Sequence, residues 1–212
     1  MRIRTVALAA VTAAAAAQTV AWMNRWGATD EEVATVYPGD ELIPDPAVQA
    51  TMAVTVEAAP ERIWPWLVQI GQDRGGMYSY DWLEQLIGLE ITSAQEIRQE
   101  WQQLAPGDRV QLVPRNWGPL PNGYAFKVAQ VDPPNALVLR QGPPEDPWDG
   151  VWSFLLRPAG PDRTRLVSRT RTAQDTGVGA TLLRGATTLG VPVTWLMTRK
   201  MLLTLKERAE RP

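Results

Sequence analysis

The residues best suited to chemistry fall in one short stretch of the sequence, residues 73–84. A Gly-Gly pair near its start permits a tight turn. Such a turn would bring together five side chains: Tyr78, Ser79, Tyr80, Asp81 and Trp82. This group could contact a ligand, or Asp81 could act as a general base while Tyr80 donates to a developing oxyanion. The structural alternative is that Ser79 caps a helix and Asp81 serves the helix dipole in its first turn.

The chain contains no histidine and no cysteine. Without histidine there is no Ser-His-Asp triad, no imidazole base and no His-bound zinc or iron. Without cysteine there is no disulfide, thiolate nucleophile or thiolate metal site. Three carboxylates lie close together in the sequence, namely Asp73, Asp81 and Glu84. Their spacing matches neither a metal-binding loop nor an acid/base pair. We therefore expect no metal and no cofactor, and an enzyme here would depend on Asp, Glu, Tyr, Lys, Arg or water.

The composition indicates one globular domain with a terminal appendage. The chain has 212 residues, of which 45% are hydrophobic, and a formal net charge of −2. That length allows a sizeable core. The balance of apolar and charged residues argues against disorder and against a broad nucleic-acid-binding surface, so we expect no nucleic-acid partner. Ten Trp stand against two Phe, so indole rings supply most of the large aromatic area of a core or a cavity.

The domain is organised around a strand followed by a helix in residues 51–70. Apolar residues first alternate with smaller or polar ones, the period-2 pattern of a strand with one buried face. The period changes at Pro60, which suits a first helical position because it has no N–H to leave unpaired. Helical spacing then continues until Gly71. Pro65 lies inside this run and should kink or shorten the helix, because it removes one hydrogen bond.

Further alternating patterns predict a series of short antiparallel strands from residue 109 onward. The side chains predicted to share the buried face are Val110 and Leu112, then Tyr124, Phe126 and Val128, then Leu137 and Leu139, and then Trp152, Phe154 and Leu156. Residues 190–208 carry a broad apolar stripe at helical spacing, which predicts a long helix across this face. Strands followed by a covering helix predict an α+β architecture with an antiparallel sheet.

This order of elements resembles the START-like helix-grip superfamily, the SRPBCC proteins that include the polyketide cyclase/dehydrase group. The phrases that carry the resemblance are WGATDEE at 26–32, PGDEL at 38–42 and VQIGQDRGGMYSYDWLEQLIG at 68–88. The resemblance covers roughly residues 26–210 and implies a curved antiparallel sheet wrapped around a long C-terminal helix. It also implies a cavity for apolar or amphipathic ligands between helix and sheet, and it implies no particular reaction, because one fold hosts many functions.

On this basis we expect a protein that binds or transports a hydrophobic or amphipathic small molecule or lipid. The predicted ligand contacts are aromatic: Tyr78, Tyr80, Trp82, Tyr124, Trp152 and Trp195. Two alternatives stay open. One is a cyclase/dehydrase-like enzyme that uses Asp81 and Tyr80, which we do not favour. The other is a protein-interaction module without a ligand, whose aromatic residues fill the core. Nothing in the sequence indicates an oligomeric state.

One predicted strand, residues 163–172, places four arginines on a single face: Arg163, Arg165, Arg169 and Arg171. Guanidinium groups pair bidentately with phosphate and carboxylate, so this stripe could bind anionic head groups. The structural alternative is the solvated outer face of an edge strand, where charge prevents pairing with another chain. The opposite face, rich in Thr and Ser, would then point inward.

Residues 5–23 form an apolar, Ala-rich run that follows Arg2 and Arg4. As a helix the run would be roughly 28 Å long, just enough for the hydrocarbon core of a bilayer. We predict that residues 1–25 are an N-terminal membrane anchor, so that the protein is membrane-associated through one helix. A cleaved signal, which would leave a secreted domain, is an alternative because residues 15–17 are small. A soluble amphipathic or docked helix is the third possibility.

Residues 26–50 are predicted to be an extended leader, with turns at 38–40 and 44–46. Residues 51–212 then form the helix-grip domain. The leader is either a solvated linker or a segment that packs on the domain. The second alternative depends on an unusual number of apolar residues for a linker, namely Trp26, Val36, Tyr37, Leu42 and Ile43.

Overall fold

The computed structural model describes residues 2–86, 88–117, 123–142, 149–173 and 179–211, with no side chains described for 2–11 and 179–190. Its helices are α1 (Arg2–Met23), α2 (Asp30–Ala34), α3 (Pro60–Val68), α4 (Asp81–Leu86) and α5 (Gly179–Glu210). Its strands are β1 (Val48–Val56), β2 (Arg109–Val113), β3 (Tyr124–Asp132), β4 (Ala136–Gln141), β5 (Gly150–Gly160) and β6 (Arg163–Thr172). Short 3-10 turns lie at 40–42 and 99–101.

The six strands form one antiparallel sheet in the order β1-β6-β5-β4-β3-β2. The first strand of the sheet therefore pairs with the last, with Val48 opposite Thr172 and Val56 opposite Thr164. Helix α5 packs against β1 and α3. The predicted α+β class, an antiparallel sheet with a long C-terminal helix, is confirmed.

The face of the sheet that points toward α3 and α5, here called the inner face, carries the main core. All the strand residues predicted to be buried together contribute to it or pack against it. Leu137, Leu139 and Phe154 are fully buried, and so are Leu202 and Leu205 of α5. Each such side chain stabilises the fold by about 1.5–3 kcal/mol through removal from water. Strict alternation along each strand thus placed one continuous apolar surface under α5.

Helix α3 begins at Pro60, as its missing N–H predicts, and ends at Val68. Ile63 and Leu67 are fully buried one turn apart, so the helix presents one apolar side to the core. Pro65 lies within the helix on its half-buried side. The helix ends three residues later, which agrees with the expected shortening.

The opposite, outer face of the sheet is covered by residues 26–44. Thr29 and Glu32 start α2 with a capping box, in which the Thr29 hydroxyl accepts from the Glu32 N–H and the Glu32 carboxylate accepts from the Thr29 N–H. Tyr37 is buried against outer-face apolar residues of four strands, and Ile43 is buried against β4 and β5. Val36, by contrast, is exposed. The leader therefore packs on the sheet through some of its apolar side chains and is not a solvated linker.

Three arginines of the β6 stripe hold this leader in place. The sequence had predicted either a site for anionic head groups or the solvated face of an edge strand. Strand β6 is paired on both sides, by β1 and β5, so it is not an edge strand. Arg165 donates to the Glu32 carboxylate at 2.8 Å, and Arg169 donates to Asp40 Oδ2 at 2.7 Å. Arg171 donates to the Asp40 carbonyl at 3.0 Å. The prediction of a solvated stripe was wrong for these three arginines, because the segment that covers them is distant in sequence. Arg163 instead forms an exposed ion pair with Glu57.

Helix α1 contacts α5 near its own C-terminal end. The Trp22 ring lies 5.5 Å from the ring of Trp195, centroid to centroid, and the Arg199 guanidinium lies 4.9 Å from the centre of the Trp26 ring. The sequence predicted a membrane anchor in residues 1–25. Within the described part of the chain, no helix combines the length and the apolar character needed to cross a membrane.

Candidate functional site

The six predicted ligand contacts fall into two groups. Tyr124, Trp152 and Trp195 pack on the main core at the inner face of the sheet. Tyr80 and Trp82 lie on or beside α4 and line a surface cleft next to the last turns of α5. Tyr78 lies in the core between the two regions. The structure thus brings Tyr80 close to Trp82 and joins Tyr124 to Trp152 through Phe126, whereas the ring of Trp195 contacts that of Trp22.

Four aromatic rings form a continuous row on the inner face, here called the aromatic row. Tyr124 and Phe126 of β3 have ring centroids 5.8 Å apart, and Phe126 lies 6.0 Å from Trp152 of β5. Trp152 is 4.8 Å from Phe154. Because successive members on each strand are two residues apart, they share one face, and their tilted and edge-on contacts are the arrangements that aromatic rings prefer. Phe126 and Phe154 are buried, Tyr124 and Trp152 are half-buried, and the only polar side-chain groups of the row are the Tyr124 hydroxyl and the Trp152 indole N–H.

The polar atoms around the aromatic row are only partly paired. The Trp152 indole N–H donates to the Ser168 hydroxyl at 2.9 Å, and Gln141 Nε2 donates to the Tyr124 hydroxyl at 2.7 Å. The Gln141 side chain is 4% exposed, yet its Oε1 has no hydrogen-bond partner among the described residues. The same holds for the indole N–H of Trp195. A buried polar atom without a partner costs about 1–3 kcal/mol, so each is a candidate ligand contact.

Tyr78 is a core residue that the preceding turn holds in place. It has a left-handed backbone, with φ 55, and Gly75 approaches it so closely that an added Cβ would lie 2.6 Å from its hydroxyl oxygen. Gln69 Nε2 donates to that oxygen at 2.9 Å. Burial raises the pKa of Tyr78 to about 12, against the opposing effect of Gln69. Tyr78 therefore stays protonated at neutral pH and does not form a surface contact.

Ser79 and Glu84 interact with each other through their side chains. The Ser79 hydroxyl donates to the Glu84 carboxylate, so it does not act as the expected helix cap. Glu84 is 1% exposed, and its Oε2 has no hydrogen-bond partner in the described residues. Burial raises the pKa of Glu84, the Ser79 hydrogen bond opposes this, and the nearby Asp81 charge adds to it. The buried carboxyl group of α4 is thus that of Glu84. The sequence analysis listed Glu84 together with Asp81 and did not predict which of the two is buried.

Asp81, the candidate base, is bound to the chain segment that follows α4. Its carboxylate accepts a hydrogen bond from the Ser93 N–H at 3.0 Å and another from the Ser93 hydroxyl at 2.6 Å. Tyr80, the candidate proton donor, packs edge-on against Trp82 at 6.4 Å, and Trp82 is 63% exposed. Asp81 therefore fixes the position of Ser93, while the neighbouring rings face the surface.

These residues line one wall of a surface cleft, here called the polar cleft, and α5 forms the other. The cleft has a volume of about 350 Å³. Its lining consists of Ser79, Tyr80, Asp81, Trp82, Ser93, Gln95, Lys200, Thr204, Glu207, Arg208 and Arg211. The α5 members recur at helical spacing on one side of the helix, which is the sequence signal that could have identified them. Within the described residues, no acidic cluster is suited to hold a metal ion.

Arg208 is the least expected member of the polar cleft. It is 6% exposed, and its guanidinium carbon lies 5.2 Å from the centre of the Trp66 ring and 5.0 Å from that of Tyr78. Burial lowers the pKa of Arg208, but an arginine remains charged at neutral pH. Its Nη1 has no hydrogen-bond partner among the described residues. The sequence analysis identified the helix that contains Arg208 but gave this arginine no role in a binding site.

Comparison with known proteins adds likenesses of fold. No protein-family model and no curated protein matches this chain. Among solved structures, protein CV1439 from Chromobacterium violaceum aligns with a TM-score of 0.46 at 11% identity, covering 77% of this chain and 98% of that one. Protein MLL2253 from Mesorhizobium loti aligns with a TM-score of 0.41 at 17% identity, and the alignment covers 77% of this chain and 98% of that one. Protein Ms6760 from Mycobacterium smegmatis aligns with a TM-score of 0.41 at 18% identity, and the alignment covers 76% of this chain and 89% of that one. These low scores support no inference about function.

Proposed function

We propose that this protein binds a small apolar or amphipathic molecule against the aromatic row. The observation that carries the proposal is the combination of four contiguous rings with a buried, unpartnered acceptor, Gln141 Oε1. Ligand sites are typically apolar surfaces with a small number of placed polar groups. A packed core without a ligand has no use for the unpaired acceptor, which lowers its stability.

The polar atoms restrict the chemistry of the ligand. Gln141 Oε1 needs a donor, because the amide N–H₂ of the same side chain already donates to Tyr124. A ligand hydroxyl or amide N–H would satisfy it. The remaining contacts are apolar, worth about 25 cal/mol for each Å² of ligand surface removed from water. We therefore expect an apolar body that carries a hydroxyl or amide group, as in many lipids and aromatic polyketides.

Binding without catalysis agrees best with the state of the acidic residues. Asp81 accepts two hydrogen bonds from Ser93, and it lines the polar cleft instead of the aromatic row. A cyclase/dehydrase-like reaction at Asp81 and Tyr80 would thus need a substrate at a different place from the apolar surface. The interaction module without a ligand is the outcome in which no apolar molecule binds.

The binding proposal is tested with a fluorescent fatty acid titrated into the purified protein. We expect saturable binding that Trp152→Leu weakens roughly tenfold, because an aromatic contact and its burial are lost. Trp82→Leu is the matched control and should leave affinity within about twofold, since an exposed indole outside the row contributes little to burial. Circular dichroism verifies that both variants fold. Equal loss in both variants, or uptake that does not saturate, would contradict the proposal.

We also propose that the N-terminal segment keeps the domain at a membrane, where an apolar ligand would be exchanged. The support is the Ala-rich run of residues 5–23, which follows two arginines. The measurement is carbonate washing of membranes from cells that express the full chain. Retention in the pellet would support the proposal. Because surface association is released by carbonate, flotation of the purified full chain with lipid vesicles is measured as well. Recovery with the vesicles is the expected result, and a protein that stays in the aqueous fraction would contradict the proposal.

A further inference from the structure

We propose that the polar cleft is a second binding site, which takes the oxyanion group of a small phosphate or carboxylate ligand. This inference goes beyond the proposed function and does not depend on it, because the aromatic row and the polar cleft have no lining residue in common. It is carried by two buried side chains of α5, Arg208 and Thr204, each with a polar atom that has no partner among the described residues.

Arg208 supplies the first contact. Its guanidinium is held between Trp66 and Tyr78, which fixes its plane and direction, while Nη1 stays unpaired. A buried cation is strongly destabilising unless it is paired and hydrogen-bonded. The rings supply only cation–π attraction, and Nη1 has no acceptor among the described residues. A planar guanidinium presents parallel N–H donors that match the two oxygens of a carboxylate or phosphate.

Thr204 supplies the second contact, one turn before Arg208 on the same side of α5. Its side chain is buried, and its hydroxyl has no partner in the described residues. Lys200, a further turn back, and Arg211 also line the cleft. The α5 wall therefore combines three cationic groups with a hydroxyl donor, all within reach of one small volume. This is the donor set that an oxyanion needs.

The cleft also contains two carboxylates, Asp81 and Glu207. Burial lowers the pKa of Arg208, and the charges of these two carboxylates act to raise it. Asp81 accepts both hydrogen bonds from Ser93. Glu207 accepts from Arg211 at 2.7 Å in an exposed pair that water screens. Glu84 lies behind Ser79 and outside the lining, and its burial favours the neutral, protonated form. Three cations, Lys200, Arg208 and Arg211, therefore line the cleft with two carboxylates, and neither Arg208 nor Lys200 forms an ion pair within the part of the chain that the structure describes.

The test uses inorganic phosphate and acetate as probes of the folded full-length chain. Proton–nitrogen NMR spectra follow backbone amides and arginine Nε–H groups during titration at constant ionic strength. We expect saturable shifts of the Ser93 amide and the Arg208 Nε–H with at least one probe. Thr204→Val should weaken this binding roughly five- to tenfold, because one hydrogen bond to a charged group is lost. The matched control, Thr194→Val at an exposed position of the same helix, should leave it unchanged.

Thr204→Val is chosen because it keeps the shape of the side chain and removes an unpaired buried hydroxyl, so folding is not expected to suffer. Lys200→Gln is a second variant at a half-buried position and should weaken the same shifts. Shifts that do not saturate, or that move exposed Arg109 as strongly as Arg208, would overturn the proposal. So would equal binding by wild type, Thr204→Val and Lys200→Gln. Fatty-acid binding in these variants stays unchanged if the aromatic row is the other site, which separates the two proposals.

Discussion

Two buried arginines lie on opposite sides of the sheet, and they differ in whether all their N–H donors are paired. Arg169, under the leader on the outer face, is 2% exposed and donates to Asp40, to Thr51 and to the carbonyls of residues 32, 33 and 35. Arg208, at the polar cleft, is 6% exposed and retains an unpaired Nη1. A guanidinium has five donors, and the outer-face arginine uses its donors on the protein itself.

The difference indicates how each arginine is used. Arg169 joins β6 to the leader, and an ion pair, several carbonyls and the Tyr37 ring at 4.7 Å offset its desolvation. Arg208 contacts two rings and faces a cleft that other cations also line. All five donors of Arg169 are used within the protein. Nη1 of Arg208 has no acceptor among the described residues, which is the basis for the oxyanion proposal.

The largest expected effect is that of Arg169→Met on stability. Removal of Arg169 leaves the buried Asp40 carboxylate with Arg171 as its remaining ion-pair partner, whose Nη1 lies 3.3 Å from Oδ1. We expect the free energy of unfolding to fall by about 3 kcal/mol, the lower end of the cost of breaking a buried pair. Urea denaturation measures this, with Arg109→Met at an exposed position as the control, expected within about 0.5 kcal/mol of wild type. A loss near that of the control would mean that the leader is not held by Arg169.

Substitution of Glu32 should have the next largest effect on stability, because the Glu32 carboxylate joins the leader to Arg165. Burial acts to raise the pKa of Glu32, but hydrogen bonds from Arg165 and the Thr29 backbone outweigh it, and the pKa falls below its ordinary value of 4.5. The charged form therefore contributes stability above pH 4.5 that is lost as the pH falls through the folded pKa. Glu32→Gln keeps the capping box and removes the charge. We expect it to cost about 1–2 kcal/mol at pH 7 and nothing in strong acid.

The measurement for Glu32 is urea denaturation of wild type and Glu32→Gln across acidic and neutral pH. Glu31→Gln, on the same helix and outside the Arg165 pair, is the control and should show no such dependence. A stability difference between wild type and Glu32→Gln that stays constant with pH would count against the ion pair.

Arg208→Met should have a smaller effect on stability than Arg169→Met, although both remove a buried arginine. The variant loses two ring contacts but also removes a charge that has no paired anion, so the two changes offset each other. We expect the free energy of unfolding to stay within about 1 kcal/mol of wild type, together with loss of phosphate binding. Destabilisation as large as that of Arg169→Met would show that Arg208 has a structural partner.

Glu84→Gln should change the free energy of unfolding least. The change should be a gain in stability, whereas Glu32→Gln should cause a loss. The folded pKa of Glu84 is raised by burial, so the folded state loses stability as the pH rises from 4.5 through the folded pKa. The Gln variant does not ionise. Relative to wild type, it should gain stability over that pH range by less than about 1 kcal/mol, as measured by thermal denaturation at several pH values. A relative loss over the same range would contradict the raised pKa.

The inner face of the sheet followed from the sequence because successive side chains of a strand point to opposite faces, although the leader buries part of the outer face as well. Strand order did not, since β1 pairs with β6 more than a hundred residues away, and alternation carries no information about neighbours. The arginine stripe was therefore assigned to an edge. Arg208 was missed for a similar reason, because its burial depends on Trp66 and Tyr78 from other elements. Helical spacing along α5 marked the position of Arg208 but not its surroundings.

The central proposal, an apolar ligand on the aromatic row, is tested most directly by native mass spectrometry of protein purified without organic solvent. Wild type should carry a stoichiometric, solvent-extractable adduct with an apolar body and a hydroxyl or amide group, and Trp152→Leu should lose most of it. Trp82→Leu should retain it. A wild-type protein that carries no adduct and takes up no fluorescent fatty acid would contradict binding and favour an interaction module whose aromatic residues are core.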